Sequence, residues 1–223
     1  MIALLQARTN SKRFTKKILR KINNVPMFLV IINSLKKSKY IKKIILTTSI
    51  YKSDNILISI CKKKKINYFR GDLEDVSKRI KDLLLKLGIK KNYFIRISAD
   101  SPLIDFNLID KFIKITRKKK PDILTNTFKR SFPKGQSIEI IKSSVYLNNQ
   151  KKFKRKADKE HVTQYFYRNF KKFKILNIKN KKNYSHLNMC VDTKSDLKKI
   201  RYIYKNIYKN KKYIPWERLT NYF

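Results

Sequence analysis

The chain has 223 residues, of which 42% are hydrophobic and 12% aromatic, so it is long enough for one substantial core and too apolar for a disordered tail. No stretch approaches the roughly 18 consecutive apolar residues of a membrane span, and Arg8 follows the start too closely for the apolar region of a signal peptide. The two cysteines, Cys61 and Cys190, lie far apart, which argues against a disulfide framework or a metal site built on thiols. We therefore expect a cytoplasmic protein without a membrane partner.

The net charge of +42 comes from 57 basic residues against 15 acidic ones, and a strongly basic chain is one sign of a nucleic-acid-binding protein. The lysines, however, are spread over nearly every segment and accompany many Asn, Ile, Tyr and Phe residues and only 3 glycines. This combination is typical of an AT-rich codon supply, so we interpret the charge as compositional drift without a specific nucleic-acid partner. Nonspecific binding to polyanions at low salt is still expected.

Short apolar runs alternate with helix-spaced apolar patterns along the first part of the chain. The predicted strands are residues 2–6, 44–49, 66–70, 92–98 and 122–127, and the predicted helices are residues 27–38, 54–64, 74–88 and 106–119. Gly88 is placed to end the third of these helices. The alternation predicts an α/β protein with a mostly parallel sheet that is covered by helices on both faces.

The pattern changes between Ser131 and about Asn180. This part contains a predicted hairpin around Lys134-Gly135, a basic helix at 156–170 and a strand at 173–178. We interpret residues 131–180 as an excursion that packs on the sheet edge or on another subunit. A strand that returns to the sheet is predicted at 188–192 and a closing helix at 194–208, so that residues 1–223 form a single domain.

Ligands of open α/β sheets bind beyond the carboxyl ends of the strands, so the residues at those ends are the candidates for chemistry. Arg8, Ser11, Arg13 and Lys17 follow the first strand, and a turn rich in amides and cations at that place is typical of a phosphate cradle. The arginines are the more informative cations, because lysine is the default basic residue of this chain and the arginine fork matches phosphate.

Two aspartates also end predicted strands: Asp100 follows the strand at 92–98, and Asp192 ends the strand at 188–192. Both aspartates therefore stand where an open α/β sheet binds its ligands. The alternative is structural: Asp100 caps the turn before Pro102, and Asp192 caps the helix that starts at Lys194.

Taken together, these segments resemble the cytidylyltransferase family that includes CMP-sialic acid synthetases and KDO cytidylyltransferases, and they are most similar to its spore coat polysaccharide biosynthesis branch. The resemblance is carried by QARTNSKRFTKK (6–17), FRGDLEDV (69–76), RISADSPLID (96–105), TNT (125–127), EHVT (160–163) and SHLNMCVDT (185–193). Departures occur in the first loop, where Asn10, Thr15 and Lys16 stand at positions that favour Gly, Pro and Gly, and at Ser137, where relatives often carry Asp.

The resemblance implies a Rossmann-like nucleotidyltransferase fold with a small excursion subdomain. The implied reaction transfers a cytidylyl group from CTP to a sugar acid (a nonulosonic or related 2-keto sugar), giving a CMP-sugar and pyrophosphate for surface polysaccharide synthesis. Mg²⁺ is the implied cofactor, and relatives often form a homodimer through the region that corresponds to 131–180. The sequence offers no convincing general base.

The resemblance also implies roles for individual residues. Arg8, Lys17 and Asp100 would be catalytic, and Asp100 and Asp192 would hold the metal. The nucleotide would be bound by Ala7, Arg8, Ser11, Arg13, Lys17 and Arg70. The acceptor sugar would be bound by Asn126, Glu139, Glu160 and His161.

Three other interpretations stay open at the level of sequence. A glycosyltransferase of similar nucleotide-binding fold would usually carry an acid–x–acid pair at the metal strand, whereas Asp100 is flanked by Ala99 and Ser101. A basic nucleic-acid-binding protein would interleave exposed aromatics with its cations, whereas most aromatics here lie in apolar runs. A relative that binds nucleotide but turns over poorly is the third, because the first loop lacks glycine.

Overall fold

The structure is a computed structural model that describes residues 1–10, 14–209, 211 and 213–223. The strands within these residues are β1 (Ile2–Gln6), β2 (Lys21–Ile22), β3 (Val25–Pro26), β4 (Lys43–Ser49), β5 (Asn67–Gly71), β6 (Tyr93–Ser98), β7 (Ile123–Thr125), β8 (Glu139–Lys142) and β9 (Ile175–Asn177). The α-helices are α1 (Met27–Leu35), α2 (Asn55–Lys63), α3 (Val76–Lys86), α4 (Phe106–Lys119), α5 (Ser143–Asn149), α6 (Lys156–His161), α7 (Gln164–Arg168), α8 (Lys194–Tyr202) and α9 (Trp216–Leu219). In this described part of the chain, no helix combines the length and the apolar character needed to cross a membrane.

Seven strands form the main sheet in the order β5-β4-β1-β6-β8-β7-β9, and β2 and β3 form a separate small hairpin. Strand β8 runs antiparallel to both of its neighbours, while the other paired strands of the main sheet are parallel. The chain moves outward from β1 to β4 and β5 and then returns to β6 on the other side of β1. This reversal creates a crevice at the carboxyl ends of β1 and β6, where open α/β sheets bind their ligands.

The sheet is buried on both faces, and this explains the continuous apolar character of its central strands. In β1, Ala3 and Leu5 belong to one core, which also contains buried residues of α1, α2, α4 and α8. Leu4, between them, belongs to a second core with residues of α3, α5 and α7. The predicted α/β architecture, with a mostly parallel sheet and helices on both faces, is therefore confirmed.

The predicted end of the third helix also agrees with the structure. Gly88 has a φ of 65°, and the N–H groups of Gly88 and Ile89 donate to the carbonyls of Leu85 and Leu84, each at 3.0 Å. This pair of hydrogen bonds is the Schellman arrangement, which uses a left-handed residue after the helix.

The segment at 131–180 differs from its prediction in two ways. Strand β8 was not predicted, and it lies inside the sheet; residues 126–138, with the turn at Lys134-Gly135, connect it to β7 as a long loop and not as a tight hairpin. The prediction of one helix at 156–170 is wrong, because Val162 has a φ of 39° and separates α6 from α7. The break buries the Val162 side chain in the second core and turns the Thr163 hydroxyl toward Glu139, at 2.7 Å.

The prediction of a strand at 188–192 is also wrong, because β8 occupies the sheet position next to β6. The segment instead crosses the carboxyl end of the sheet. The N–H of Met189 donates to the carbonyl of Lys134 at 2.8 Å, and the N–H of Val191 donates to the carbonyl of Asp100 at 2.9 Å. The crossing places Asp192 beside the end of β6.

A buried carboxylate anchors the loop that follows β1. One oxygen of Asp54 accepts hydrogen bonds from the N–H (2.8 Å) and hydroxyl (2.7 Å) of Thr9. The other oxygen accepts from the hydroxyl of Thr48 (2.8 Å) and from the N–H (3.1 Å) and hydroxyl (2.5 Å) of Ser49. Burial alone would raise the pKa of Asp54, but these hydrogen bonds outweigh it and the pKa is lowered. Asp54 therefore fixes the start of the first loop to the end of β4.

Gly135→Ala tests the crossing segment. Gly135 has a φ of 97°, and a Cβ at this position would lie 2.8 Å from the backbone carbon of Met189. We expect the free energy of unfolding to fall by about 2–4 kcal/mol, because both strain and overlap with the backbone are introduced. The matched control is Gly88→Ala, which has a positive φ but no atom within 4 Å of the new Cβ and should cost only about 1–2 kcal/mol. Urea denaturation measures both, and equal losses would contradict the predicted overlap.

Asp54→Asn tests the anchor of the first loop. An amide cannot accept all five hydrogen bonds, so we expect a loss of about 2–4 kcal/mol in the free energy of unfolding near neutral pH. Because the folded pKa is depressed, the carboxylate stabilises the fold above its unfolded pKa, near 3.8, and this stabilisation disappears as the pH falls through the lower folded value. Denaturation at pH 3 to 8 should therefore show a constant difference in the free energy of unfolding between wild type and variant above about pH 5, and this difference should narrow below about pH 4.

The control is Asp82→Asn, in a partly exposed pair with Lys78, which should change the free energy of unfolding by less than about 1 kcal/mol. A gap for Asp54→Asn that did not depend on pH would count against the anchor.

Candidate active site

In the first loop, Lys16 occupies the turn position at which the resemblance leads us to expect glycine. Lys16 has φ 55° and ψ 25°, a left-handed conformation, and its N–H donates to the carbonyl of Thr9 at 3.0 Å. A side chain in this conformation costs about 1–2 kcal/mol relative to glycine. The chain therefore tolerates that cost, and the turn that leads into Lys17 is formed without glycine.

Lys17 joins two carboxylates from distant parts of the chain. Its Nζ lies 3.1 Å from Oδ2 of Asp100 and 3.0 Å from Oδ1 of Asp192. Because both carboxylate oxygens contact the same nitrogen, the distance between the two oxygens cannot exceed the sum of these two distances. Burial would lower the pKa of Lys17, but Asp100 and Asp192 outweigh this effect and the pKa is raised, so the ammonium stays charged at neutral pH.

The helix-capping alternative for Asp192 is wrong. Thr193 is the N-cap of α8: its hydroxyl accepts from the N–H of Asp196, and the Asp196 carboxylate in turn accepts from the N–H groups of Asp192 and Thr193. The side chain of Asp192 is directed to Lys17 instead. For Asp100, a hydrogen bond from the hydroxyl of Ser101 at 3.2 Å coexists with the contact to Lys17.

These three residues lie in a cleft of about 380 Å³ at the carboxyl ends of β1 and β6. The cleft is also lined by Gln6, Ala7, Arg8, Ile18, Val76, Arg79, Arg96, Ser98, Ala99, Glu160 and His161. The cleft contains four basic and three acidic side chains. This mixture suits a negatively charged ligand that binds together with a cation. Of the predicted site residues, the structure brings together Ala7, Arg8, Lys17, Asp100, Asp192, Glu160 and His161.

Arg8 and Glu160 connect the first loop to the helix on the opposite side of the cleft. The Nη2 atom of Arg8 lies 3.3 Å from Oε1 of Glu160, and both side chains are partly exposed. A partly exposed ion pair of this kind contributes little to stability, about 0–1 kcal/mol. Arg8 can therefore exchange Glu160 for another anion at small cost.

Arg70 does not line this cleft. Its Nε donates to the carbonyl of Ser49 at 2.9 Å, and its Nη2 donates to the carbonyl of Tyr51 at 3.0 Å. The guanidinium thus holds the turn after β4, and its contact with the nucleotide stays a prediction. Ser11 and Arg13 lie outside the described residues.

Two predicted acceptor-binding residues are buried in the structure and do not line the cleft. Asn126 is fully buried; its amide donates to the carbonyl of Gln136 at 2.7 Å and accepts from the N–H of Ile138 at 2.9 Å. Glu139 is 4% exposed and pairs with Arg96. Neither side chain is available to a sugar in this arrangement, because its polar atoms are already bonded within the protein.

Sequence reasoning missed two arginines of the cleft, Arg79 on α3 and Arg96 on β6. Arg79 is 2% exposed; burial lowers its pKa to about 10, and its Nη1 donates to the carbonyl of Asp72 at 3.0 Å. The signal that could have found them is the one applied to the first loop, since arginine is the less common cation here. Arg96 was overlooked because it lies inside a strand and not at its end.

The donor chemistry of the cleft suits a divalent cation bound together with phosphates. Asp100 and Asp192 offer hard oxygen ligands, and the ammonium between them shows that the protein places positive charge at that point. The described residues contain no cluster of three or more side chains that could hold a metal alone. Such a pair matches Mg²⁺, which takes one or two carboxylates and completes its shell with phosphate oxygens and water.

Comparison with known proteins shows the family of the chain. A family model described as cytidylyltransferase matches residues 2–218. Uncharacterized protein MJ1063 of Methanocaldococcus jannaschii is 33% identical over 175 residues, which is 78% of this chain and 70% of that protein. The spore coat polysaccharide biosynthesis protein SpsF of Bacillus subtilis is 23% identical over 213 residues, covering 92% of this chain and 86% of SpsF.

Solved structures show the same similarity. A cytidylyltransferase from Leptospira borgpetersenii serovar Hardjo-bovis superposes with a TM-score of 0.85 at 26% identity and covers 92% of this chain and 86% of its own. A CMP:2-keto-3-deoxy-manno-octonic acid synthetase complexed with CTP has a TM-score of 0.67 at 14% identity, over 92% of this chain and 98% of its own, and shares the fold. The chain belongs to the cytidylyltransferase family and is a nucleotidyltransferase enzyme.

Proposed function

We propose that this enzyme transfers the cytidylyl group of CTP to a 2-keto sugar acid and releases pyrophosphate. The observation that carries the proposal is the pairing of Asp100 and Asp192 around Lys17 in a cleft at the end of β1. The name of SpsF supports a role in surface polysaccharide synthesis, and the sugar acid in the name of the octonic acid synthetase supports the acceptor class. A reaction that consumes CTP fits a cytoplasmic location.

In this proposal the first loop binds the triphosphate. Lys17 supplies a fixed positive charge, since its raised pKa keeps it protonated. Arg8 reaches phosphate by exchanging its weak pairing with Glu160, and Ala7 forms part of the wall. Ser11 and Arg13 belong to the same loop and stay predicted phosphate contacts.

Asp100 and Asp192 would hold Mg²⁺, which when bound offsets the negative charge of the triphosphate. The acceptor hydroxyl forms a new bond to the α-phosphorus while the bond to pyrophosphate breaks, and the hydroxyl proton passes to solvent. Catalysis then depends on positioning and electrostatics and needs no protein nucleophile. Glu160 and His161, on the α6 side of the cleft, are the predicted acceptor contacts that line it.

Asp100→Asn tests the proposed metal pair. With CTP, Mg²⁺ and a panel of 2-keto sugar acids, pyrophosphate release should fall by about 100-fold or more, because the amide is a poor ligand for Mg²⁺. The free energy of unfolding should change by no more than about 1 kcal/mol, since the side chain is one quarter exposed and Lys17 keeps Asp192 as its partner. Asp192→Asn should behave in the same way, and Asp82→Asn should leave turnover unchanged. Near wild-type turnover in Asp100→Asn would refute the proposed role.

We also propose that the enzyme is a homodimer formed through residues 131–180. Light scattering should then give twice the chain mass of 26.8 kDa at micromolar concentration. A monomer mass under these conditions would disprove the dimer without affecting the proposed reaction.

A further inference from the structure

Arg96 is a cleft residue with unused hydrogen-bond donors. Its side chain lines the cleft, and its Nη1 donates to Oε2 of Glu139 at 2.6 Å. Its Nε–H is buried and has no acceptor among the described residues. A buried donor of a charged group without a partner is costly, and in native proteins such a group commonly marks the place of a bound water, ion or ligand.

Glu139 holds this guanidinium in one orientation. While Oε2 accepts from Arg96, Oε1 accepts from the hydroxyls of Thr127 (3.2 Å), Thr163 (2.7 Å) and Tyr167 (2.7 Å). The three hydroxyls come from the end of β7, the α6–α7 junction and α7, so several elements fix the carboxylate. Burial alone would raise the pKa of Glu139, but Arg96 and the hydroxyls lower it, so it stays charged. A side chain fixed in this way is preorganised for a ligand.

The remaining donors of Arg96 match a carboxylate. With Nη1 bonded to Glu139, Nε–H and the neighbouring Nη2–H lie along one edge of the planar guanidinium, the edge that binds two oxygens of a planar anion. Glu139 directly behind the arginine offsets its charge, so a singly charged anion is favoured over a doubly charged phosphate. A carboxylate is a singly charged, planar anion and matches this edge, and the α-phosphate of CTP, which is also singly charged, is the competing ligand that the variants below distinguish.

The position of Arg96 agrees with the chemistry of a 2-keto sugar acid. In such a sugar the carboxylate is bonded to the carbon that carries the attacking hydroxyl, so it must lie close to the reacting atoms. Arg96 and Ser98 both line the cleft from β6, and Asp100 follows two residues later. A carboxylate on Arg96 thus lies in the same cleft as the proposed metal pair.

We propose that Arg96 binds the carboxylate of the acceptor sugar and that Glu139 is its positioning residue. This inference rests on the proposed function and assigns the specificity for sugar acids to one side chain. It also gives a physical reason for the burial of Glu139: the glutamate does not contact the acceptor but orients the group that does.

The test measures binding with the reaction blocked. Wild-type protein is saturated with Mg²⁺ and α,β-methylene CTP, in which the bond that would release pyrophosphate is replaced. Calorimetry then gives the dissociation constants of 2-keto-3-deoxy-manno-octonic acid, N-acetylneuraminic acid and the methyl esters of both. We expect wild type to bind at least one acid more tightly than its ester by about 10- to 100-fold, the range for a hydrogen bond to a charged group.

The variants separate recognition from folding. Arg96→Met should remove the preference for acid over ester and leave the affinity for the CTP analogue unchanged. Because this change leaves the buried Glu139 carboxylate without its counter-ion, Arg96→Lys and the double variant Arg96→Met/Glu139→Gln are included as variants that avoid this cost to folding. Arg96→Lys should keep only part of the preference, since lysine lacks the two-donor edge. Glu139→Gln should reduce the preference without abolishing nucleotide binding, and the exposed Arg218→Met is the matched control.

The other possible outcomes contradict either this inference or the proposed function. If wild type binds the CTP analogue but shows no preference for the acids, or if folded Arg96 variants keep the preference, the inference is wrong. If the Arg96 variants lose affinity for the CTP analogue to the same extent as for the acid, Arg96 serves the nucleotide and the inference is also wrong. If wild type does not bind the CTP analogue at all, the proposed function itself fails.

Discussion

The contact of the Lys17 ammonium with Asp100 and Asp192 is the interaction on which the cleft depends. It joins the first loop, the end of β6 and the segment before α8, which are far apart in sequence. Two carboxylates that lie this close together repel each other unless a cation lies between them. Lys17 provides that cation in the protein alone, and under the proposed function Mg²⁺ would meet the same requirement when the triphosphate is bound.

The supports of this contact use the few acidic residues of a very basic chain. The chain has only 15 acidic side chains. Asp54 anchors the first loop, and Glu139 orients Arg96. Asp196 completes the capping box of α8, which begins directly after Asp192. Asp75 and Asp105 cap α3 and α4. Many acids are thus placed where a backbone or side-chain donor needs an acceptor, and this leaves the basic residues in large excess on the surface.

The parts of the fold that could be predicted are those specified by local pattern. The strands β1, β4 and β6 carry apolar runs because both of their faces are buried, whereas the edge strand β5 is partly exposed. Gly88 marks a helix end through its own backbone preference. Strand β8 has only four residues, and its pairing with β6 and β7 depends on distant partners. The apolar residues Met189 and Val191 give the run at 188–192 the pattern of a strand, but they pack into the core without joining the sheet. The left-handed Val162 has no counterpart in any local preference.

The same distinction holds for the cleft. Arg8 and Asp100 could be predicted because they follow strands, and Lys17 because it belongs to the loop after β1. Asp192 could be predicted because it ends a short apolar run, although that run is not a strand. Glu139 and Asn126 resemble binding residues in sequence and are buried in the structure.

The crossing of residues 188–192 over the sheet has a consequence for synthesis on the ribosome. The parallel half of the sheet, from β5 to β6, can pair once about half of the chain has emerged, but Asp192 is made near the end. A nascent or prematurely terminated chain that ends before residue 192 lacks the second carboxylate of this contact. The order of translation itself thus delays the complete Lys17–Asp100–Asp192 contact until the polypeptide is nearly finished.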